Sequence, residues 1–238
     1  VSDFYVGYLP KAPERLGRTI LRVILALNGL AIVVALLLVF GQQPFADSRF
    51  EFLQYRDYEG LLVNSPYPSL LTAEDRYLLV APGKHGAAEL VRGMDLARVQ
   101  LKGSLIRRGD ERMLEVVPGS IRAASGSPRS VPSTDLGVVE LAGEIVDSKC
   151  YFGVMNPGNG KVHRACAVRC ISGGIPPAFA AKDASGAIRT LLLSGVDSRE
   201  ILDLVAEPVT VRGRLQRSEG DLILTIDRRR NKLAIDRH

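Results

Sequence analysis

No tryptophan occurs in this sequence, and phenylalanine, tyrosine and methionine number only seven, seven and three among 238 residues. A protein that binds single-stranded nucleic acid by stacking bases on aromatic rings needs more of them on its strands. Enzyme fingerprints are missing too. There is no G-x-x-x-x-G-K-[ST] phosphate loop, no dinucleotide glycine pattern, no Ser-His-Asp arrangement and no pair of carboxylates set up for acid–base work. The sequence therefore reads as non-catalytic. Cysteine is scarce and odd in number, at Cys150, Cys166 and Cys170, which excludes a fully paired disulfide framework within the chain. Neither C-x-x-C-H nor C-x-x-C is present, which speaks against covalent haem attachment and a thioredoxin-type dithiol. The net charge of +5 is scattered, apart from Arg228, Arg229, Arg230 and Lys232. That cluster reads as a solvated tail or a lipid-headgroup contact, and no nucleic acid is expected as a partner.

One long apolar run stands out. Val23 to Phe40 is 18 residues without a charge, and Asn28 is its one strongly polar side chain. At 1.5 Å per residue it reaches roughly 27 Å, near the thickness of a hydrocarbon core. The run is longer than a cleaved signal's apolar region, and Gly41-Gln42-Gln43-Pro44 offers no small-x-small cleavage site. The expectation is an uncleaved transmembrane helix over 19–43. Lys11, Arg15, Arg18 and Arg22 precede the span, and the first basic residues after it are Arg49 and Arg56. This asymmetry puts the N-terminus in the cytoplasm and the bulk outside a bacterial inner membrane, in the periplasm. Asn28 and Gly29 fall where small and polar residues face partner helices. Tyr5 and Tyr8, in a short segment over 1–18, are candidates for headgroup contact or docking on a neighbouring subunit.

Past the span the chain changes to short β-branched runs between Gly, Pro and Asp turns, the pattern of a mainly β protein. A weak repeat emerges. Tyr77–Val80, then Val99-Gln100-Leu101-Lys102-Gly103-Ser104-Leu105, a turn at Gly109-Asp110 and Met113–Val116 form one series. Thr190–Leu193, then Val209-Thr210-Val211-Arg212-Gly213-Arg214-Leu215, a turn at Gly220-Asp221 and Leu222–Ile226 form the other. Gly103 and Gly213 fall mid-strand, where glycine marks a bulge or a sharp bend, and small barrels need bent strands. The arrangement resembles tandem OB-like barrels of five strands each, over 44–124 and 137–238, joined by a polar linker at 125–136.

The second half alone carries an insertion over 147–179, DSKCYFGVMNPGNGKVHRACAVRCISGGIPPAF. His163, Cys166 and Cys170 are spaced i, i+3, i+7, which puts them on one face of a helix. The Gly/Asn/Pro loop after Cys150 can return that residue to the same face. Two chemistries follow. A disulfide from Cys150 to Cys166 or Cys170 would staple loop to helix and leave one thiol, as suits an oxidising compartment. Alternatively Cys150, His163, Cys166 and Cys170 together hold zinc or another thiophilic metal. Free or redox-active thiols are the third reading. The series Asp147-x-x-Cys150, His163-x-x-Cys166-Ala167-x-x-Cys170 and Gly174-x-Pro176 resembles small exported bacterial proteins with D-x-x-C…H-x-x-C-A-x-x-C…G-x-P in a β domain. The resemblance runs from about Val138 to Leu193 and implies an extracytoplasmic setting.

The first half offers Pro82-Gly83-Lys84-His85-Gly86, a turn able to cradle an anion but more simply read as solvated. Taken together, the chain reads as a membrane-anchored accessory subunit of a respiratory or otherwise redox-linked bacterial membrane complex, with integral membrane subunits and lipid as partners. Two alternatives stay open: a metal-binding or thiol-redox assembly factor, and an OB-type binder of nucleic acid or oligosaccharide.

Overall fold

The computed structural model describes residues 13–42, 47–125, 131–182, 187–229 and 232–237. The chain divides into two compact units, Val1–Pro44 and Phe45–His238. In the first, α1 runs over Glu14–Gly41, with no buried residue along its 28 residues. It is long and apolar enough to cross a membrane. The helix starts just after Pro13, ahead of the boundary expected at residue 19. Arg15, Arg18 and Arg22 therefore belong to its first turns, and Arg18 reaches Glu14 at 3.4 Å. A hydropathy pattern marks the lipid-compatible stretch, whereas hydrogen bonding carries the helix through its charged flank until proline stops it.

The second unit is mainly β. Its first sheet comprises β1 (Ser48–Phe50), β2 (Arg56–Val63), β3 (Ser69–Leu71), β4 (Arg76–Val80), β5 (Arg98–Arg108), β6 (Glu111–Val116) and β7 (Arg122–Ala123). β2, β3 and β4 form an antiparallel meander, β4 pairs in parallel with β6, and β6 and β2 both pair antiparallel with β5. This circuit closes a five-strand barrel, and β1 and β7 add to β5. Gly103 is the pivot of the closure. It is the last residue of β5 to pair with β2, opposite Arg56, and the first to pair with β6, opposite Val116. The ladders run through it without a break. Its lack of a side chain lets β6 pass close by, since a Cβ there would lie 3.1 Å from the Glu115 carbonyl oxygen.

The second sheet comprises β8 (Ser133–Asp147), β9 (Pro177–Lys182), β10 (Ile188–Ser194), β11 (Pro208–Ser218) and β12 (Asp221–Ile226). Short pieces follow: β13 (Arg228–Arg229) paired with β14 (Lys232–Leu233), and β15 (Ile235–Arg237) on β11. β8 begins at Ser133, inside the stretch expected to be a linker, because β11 pairs with it as far as Ser218↔Ser133. β8–β9, β9–β10, β11–β12 and β11–β8 are antiparallel, and β10–β12 is parallel. α2 (Arg164–Ser172) lies between β8 and β9, and α3 (Ser198–Ile201) between β10 and β11. A capping box at Asp197 and Glu200 starts α3.

Strand alternation sorts side chains into three larger cores and a small fourth cluster of Leu61, Val63 and Leu71. Leu79 and Leu114 point into the first barrel, with Leu62, Leu70, Leu101 and Val116. Leu191, Leu193 and Leu224 join Val209, Val211 and Ile145 within the second sheet. The intervening residues Leu78, Val80 and Met113 of the first half face Leu192 and Ile223 of the second in a shared core, which Cys150, Tyr151, Phe152 and Cys170 complete. The parallel pairs β4–β6 and β10–β12 thus carry apolar residues on both faces, as strands buried on both sides do. Polar contacts frame this junction. Arg76 Nε lies 2.7 Å from Asp221 Oδ2 and its Nη1 donates to Ser218 O at 3.1 Å. Tyr67 Oη donates to Leu193 O at 2.6 Å.

Candidate metal centre

The insertion folds around Asp147, the last residue of β8. Its Oδ1 accepts the Cys150 backbone N–H at 2.8 Å, which tightens the chain into a π-helical turn over Cys150–Val154. The loop then doubles back against that turn. A Cβ on Gly158 would lie 2.4 Å from Cys150 O, so only glycine lets the backbones meet there. A 3-10 turn over Lys161–His163 leads into α2, whose successive turns carry Cys166 and Cys170. At its end Gly173 N–H and Ile175 N–H donate to Arg169 O and Cys170 O, both at 3.0 Å, and Gly174 adopts φ +90°. This is a glycine-terminated helix end of the kind the Ser172-Gly173-Gly174 sequence announces.

The result brings Cys150, Cys166 and Cys170 together, with their three Sγ atoms within 4.8 Å of one another. Cys150 and Cys170 are buried and Cys166 is partly open. All three are free thiols. His163 takes a different place from the one its helical spacing suggests. Its Nε2 lies 2.9 Å from Asp147 Oδ2, both side chains being buried, and the two group with Cys150 alone. Asp147, which the motif places three residues before Cys150, is thus the residue that organises both the turn and the imidazole.

The first half supplies the rest of the site. Lys84 Nζ donates to Cys166 Sγ at 2.8 Å and lies 3.7 Å from Cys170 Sγ. Its loop is pinned against the insertion from two directions. Lys149, only 2% exposed, donates to Ala81 O at 2.9 Å and Gly83 O at 2.7 Å, and pairs with Glu115 Oε2 at 2.5 Å. Gly86 N–H donates to Gly173 O at 3.0 Å. The approach is so close that a Cβ on Gly173 would overlap Lys84 O, at 1.9 Å. The amide of Gly86 is spent on Gly173, that of Ala81 on His85 O, and Lys84 points at sulfur.

These contacts set the proton affinities. The hydrogen bond from Cys150 to Cys170, with burial and the Asp147 charge, holds the Cys150 thiol well above the usual range. The same bond pulls Cys170 down, assisted by Lys84 and opposed by burial and Asp147. Lys84 is raised, chiefly by its hydrogen bond to Cys166.

Three soft sulfur donors converge here with an imidazole and a carboxylate at their inner edge, a donor set that can bind a metal ion. A tetrahedral thiolate site with metal–sulfur bonds of about 2.3 Å has sulfurs about 3.8 Å apart, so the cluster needs to contract by no more than about 1 Å. Comparison with protein-family models, with curated proteins and with solved structures gave no match. In the first unit, Asn28 Nδ2 donates to Ile24 O at 2.8 Å, satisfying the amide within its own helix, and Gly29 has open space around its Cα. Tyr5 and Tyr8 lie outside the described residues.

Proposed function

We propose that this chain is a membrane-anchored metal-binding protein in which Cys150, Cys166 and Cys170 hold a thiophilic ion. The convergence of three thiols from two segments of the insertion carries this reading. Asp147 and His163 border the ligands and fix the turn that presents Cys150.

The framework holding the site is read as two OB-like barrels in tandem, about 44–124 and 137–238. Support comes from the pairing circuit of the first barrel, which recurs strand for strand in β8, β9, β10, β11 and β12, with its one parallel pair in the same place. α1 is the anchor, and the basic residues at its start favour a cytoplasmic N-terminus with the barrels in the periplasm. Metal analysis with a thiol count on the purified full-length protein tests the function. One equivalent of metal, lost when any of the three cysteines becomes serine, is expected. Metal-free protein with one titratable thiol would establish the disulfide instead, and with three would leave only free thiols.

A second reading keeps the chain as a non-catalytic accessory subunit of a respiratory or redox-linked complex. It is supported by α1, none of whose residues is buried. Extraction in mild detergent should then recover a larger assembly, and a monomer under every such condition would remove this reading.

A further inference from the structure

We infer that the trithiol site takes a divalent ion of the zinc class, and that Lys84 of the first half is its charge partner. This deepens the metal reading of the site and rests on it.

Three thiolates around a divalent cation leave one net negative charge. Two of the three sulfurs are buried, and a buried charge without a partner is costly. Two of the cations around the site are committed to carboxylates. Lys149 pairs with Glu115 and Arg164 with Glu207 at 2.6 Å. Lys84 Nζ is instead directed to Cys166 and Cys170. One ammonium and one divalent ion balance three thiolates. A monovalent ion in the same place would leave the site negative even with Lys84 present.

Chance does not account for where Lys84 lies. A long, flexible side chain loses rotamer freedom when held against sulfur. Its backbone is fixed by the two carbonyls that Lys149 holds, by the Gly86–Gly173 bond, and by the missing side chain of Gly173. All these features bring the first half to the sulfurs, where the partly open Cys166 would otherwise face water. An N–H donor on a ligand thiolate is the outer-shell contact that stabilises a bound metal. Lys84 is thus a positioning residue.

The test uses the full-length protein in detergent, with Lys84→Met and Lys84→Arg beside the wild type. Metal content is measured as isolated, zinc release is followed with a chromogenic chelator, and melting is measured on metal-free protein. The wild type is expected to hold zinc. Lys84→Met should release it about 10–100-fold faster, the range for loss of an outer-shell partner. Lys84→Arg, which keeps the charge, should stay much nearer the wild type. Metal-free melting should be the same in all three. Metal-free wild type would overturn the metal reading and this inference together. Zinc held equally well by wild type and Lys84→Met would overturn this inference alone. Copper(I) in place of zinc would overturn the divalent assignment. A Lys84→Met variant whose metal-free form melts far below the wild type would make Lys84 structural and overturn its role as charge partner.

Discussion

Lys149→Met tests whether the two halves are fastened through this site. The native ammonium is almost wholly buried and has three acceptors, the Glu115 carboxylate and the carbonyls of Ala81 and Gly83. Methionine keeps the length of the side chain and removes the charge. Breaking a buried pair by deleting one partner costs about 3–5 kcal/mol, because the other charge stays behind. The Glu115 side chain is 14% exposed and recovers some hydration, which favours the lower end. The two carbonyls lose a donor as well, so the lower end is also a floor. For a folded unit of this size each kcal/mol shifts the melting temperature by about 2–4 °C, giving a fall of about 6–20 °C. The assay is thermal unfolding of metal-free full-length protein by near-ultraviolet circular dichroism, in which tyrosines report in the absence of tryptophan. Adding Glu115→Gln to Lys149→Met removes the stranded charge and should restore part of the loss. A single variant melting within about 3 °C of wild type, or a double variant no better than the single, would refute the reasoning.

Three further outcomes are expected. Gly173→Ala should cost about 1–3 kcal/mol and speed zinc release, because its Cβ would overlap Lys84 O. The backbone there, at φ −83°, suits any residue, so denaturant titration isolates the contact itself. His163→Ala should strip Asp147 Oδ2 of its partner and lower stability by about 1–3 kcal/mol, yet keep zinc, since the thiols converge without it; loss of zinc at unchanged thiol count would make His163 a ligand. The third outcome concerns pH. Burial, with Asp221 and Asp110 alongside, pushes Glu111 up to about 7, against about 4.3 in an unfolded chain. Between those values the native state keeps a proton that the unfolded state has lost, so stability falls as pH rises through the window, by a few kcal/mol at most. Glu111→Gln should flatten that slope and raise the melting temperature at pH 8 more than at pH 5; equal gains at both would show that the carboxyl does not titrate there.

Much of the fold is legible in local pattern. The strands around Gly103 and Gly213 fall where the repeat puts them, because alternation, a Gly-Asp turn and a return strand are short-range signals. Two-faced strands were visible too, without their meaning being plain. Leu78-Leu79-Val80 and Leu191-Leu192-Leu193 break the alternation expected of a strand with one wet side, as do the pairs Met113-Leu114 and Ile223-Leu224. A run with no polar face says that both sides are covered, but not by what. The structure answers that each half covers the other. Gly213 was legible only as a bend. A Cβ there would lie 2.3 Å from Thr225 O, so glycine serves the close passage of β12, with its ladder intact.

The site was half legible, and the missing half has a physical reason. Helical spacing and a returning loop bring the cysteines together from within one short stretch, so sequence arithmetic finds them. Lys84 stands 82 residues from Cys166, and no periodicity spans that distance. Lys149 lies within the motif itself, yet lysine is almost never wholly buried, and its burial depends on acceptors that other strands provide. His163, in the turn before α2, lies against the buried carboxylate of Asp147 in the same insertion. Lys84 and Lys149 escape that arithmetic for one reason. The insertion is anchored on the barrel of the first half, so its chemistry is written partly in the other half of the chain. It follows that the thiol cluster and the docking of the halves are one structural unit. Lys149 fastens the loop, the loop carries Lys84, and Lys84 meets the sulfurs. Loosening the junction should therefore be felt at the thiols even by substitutions that touch no sulfur, and filling the site should tighten the junction in return, because the coupling between two such events is reciprocal.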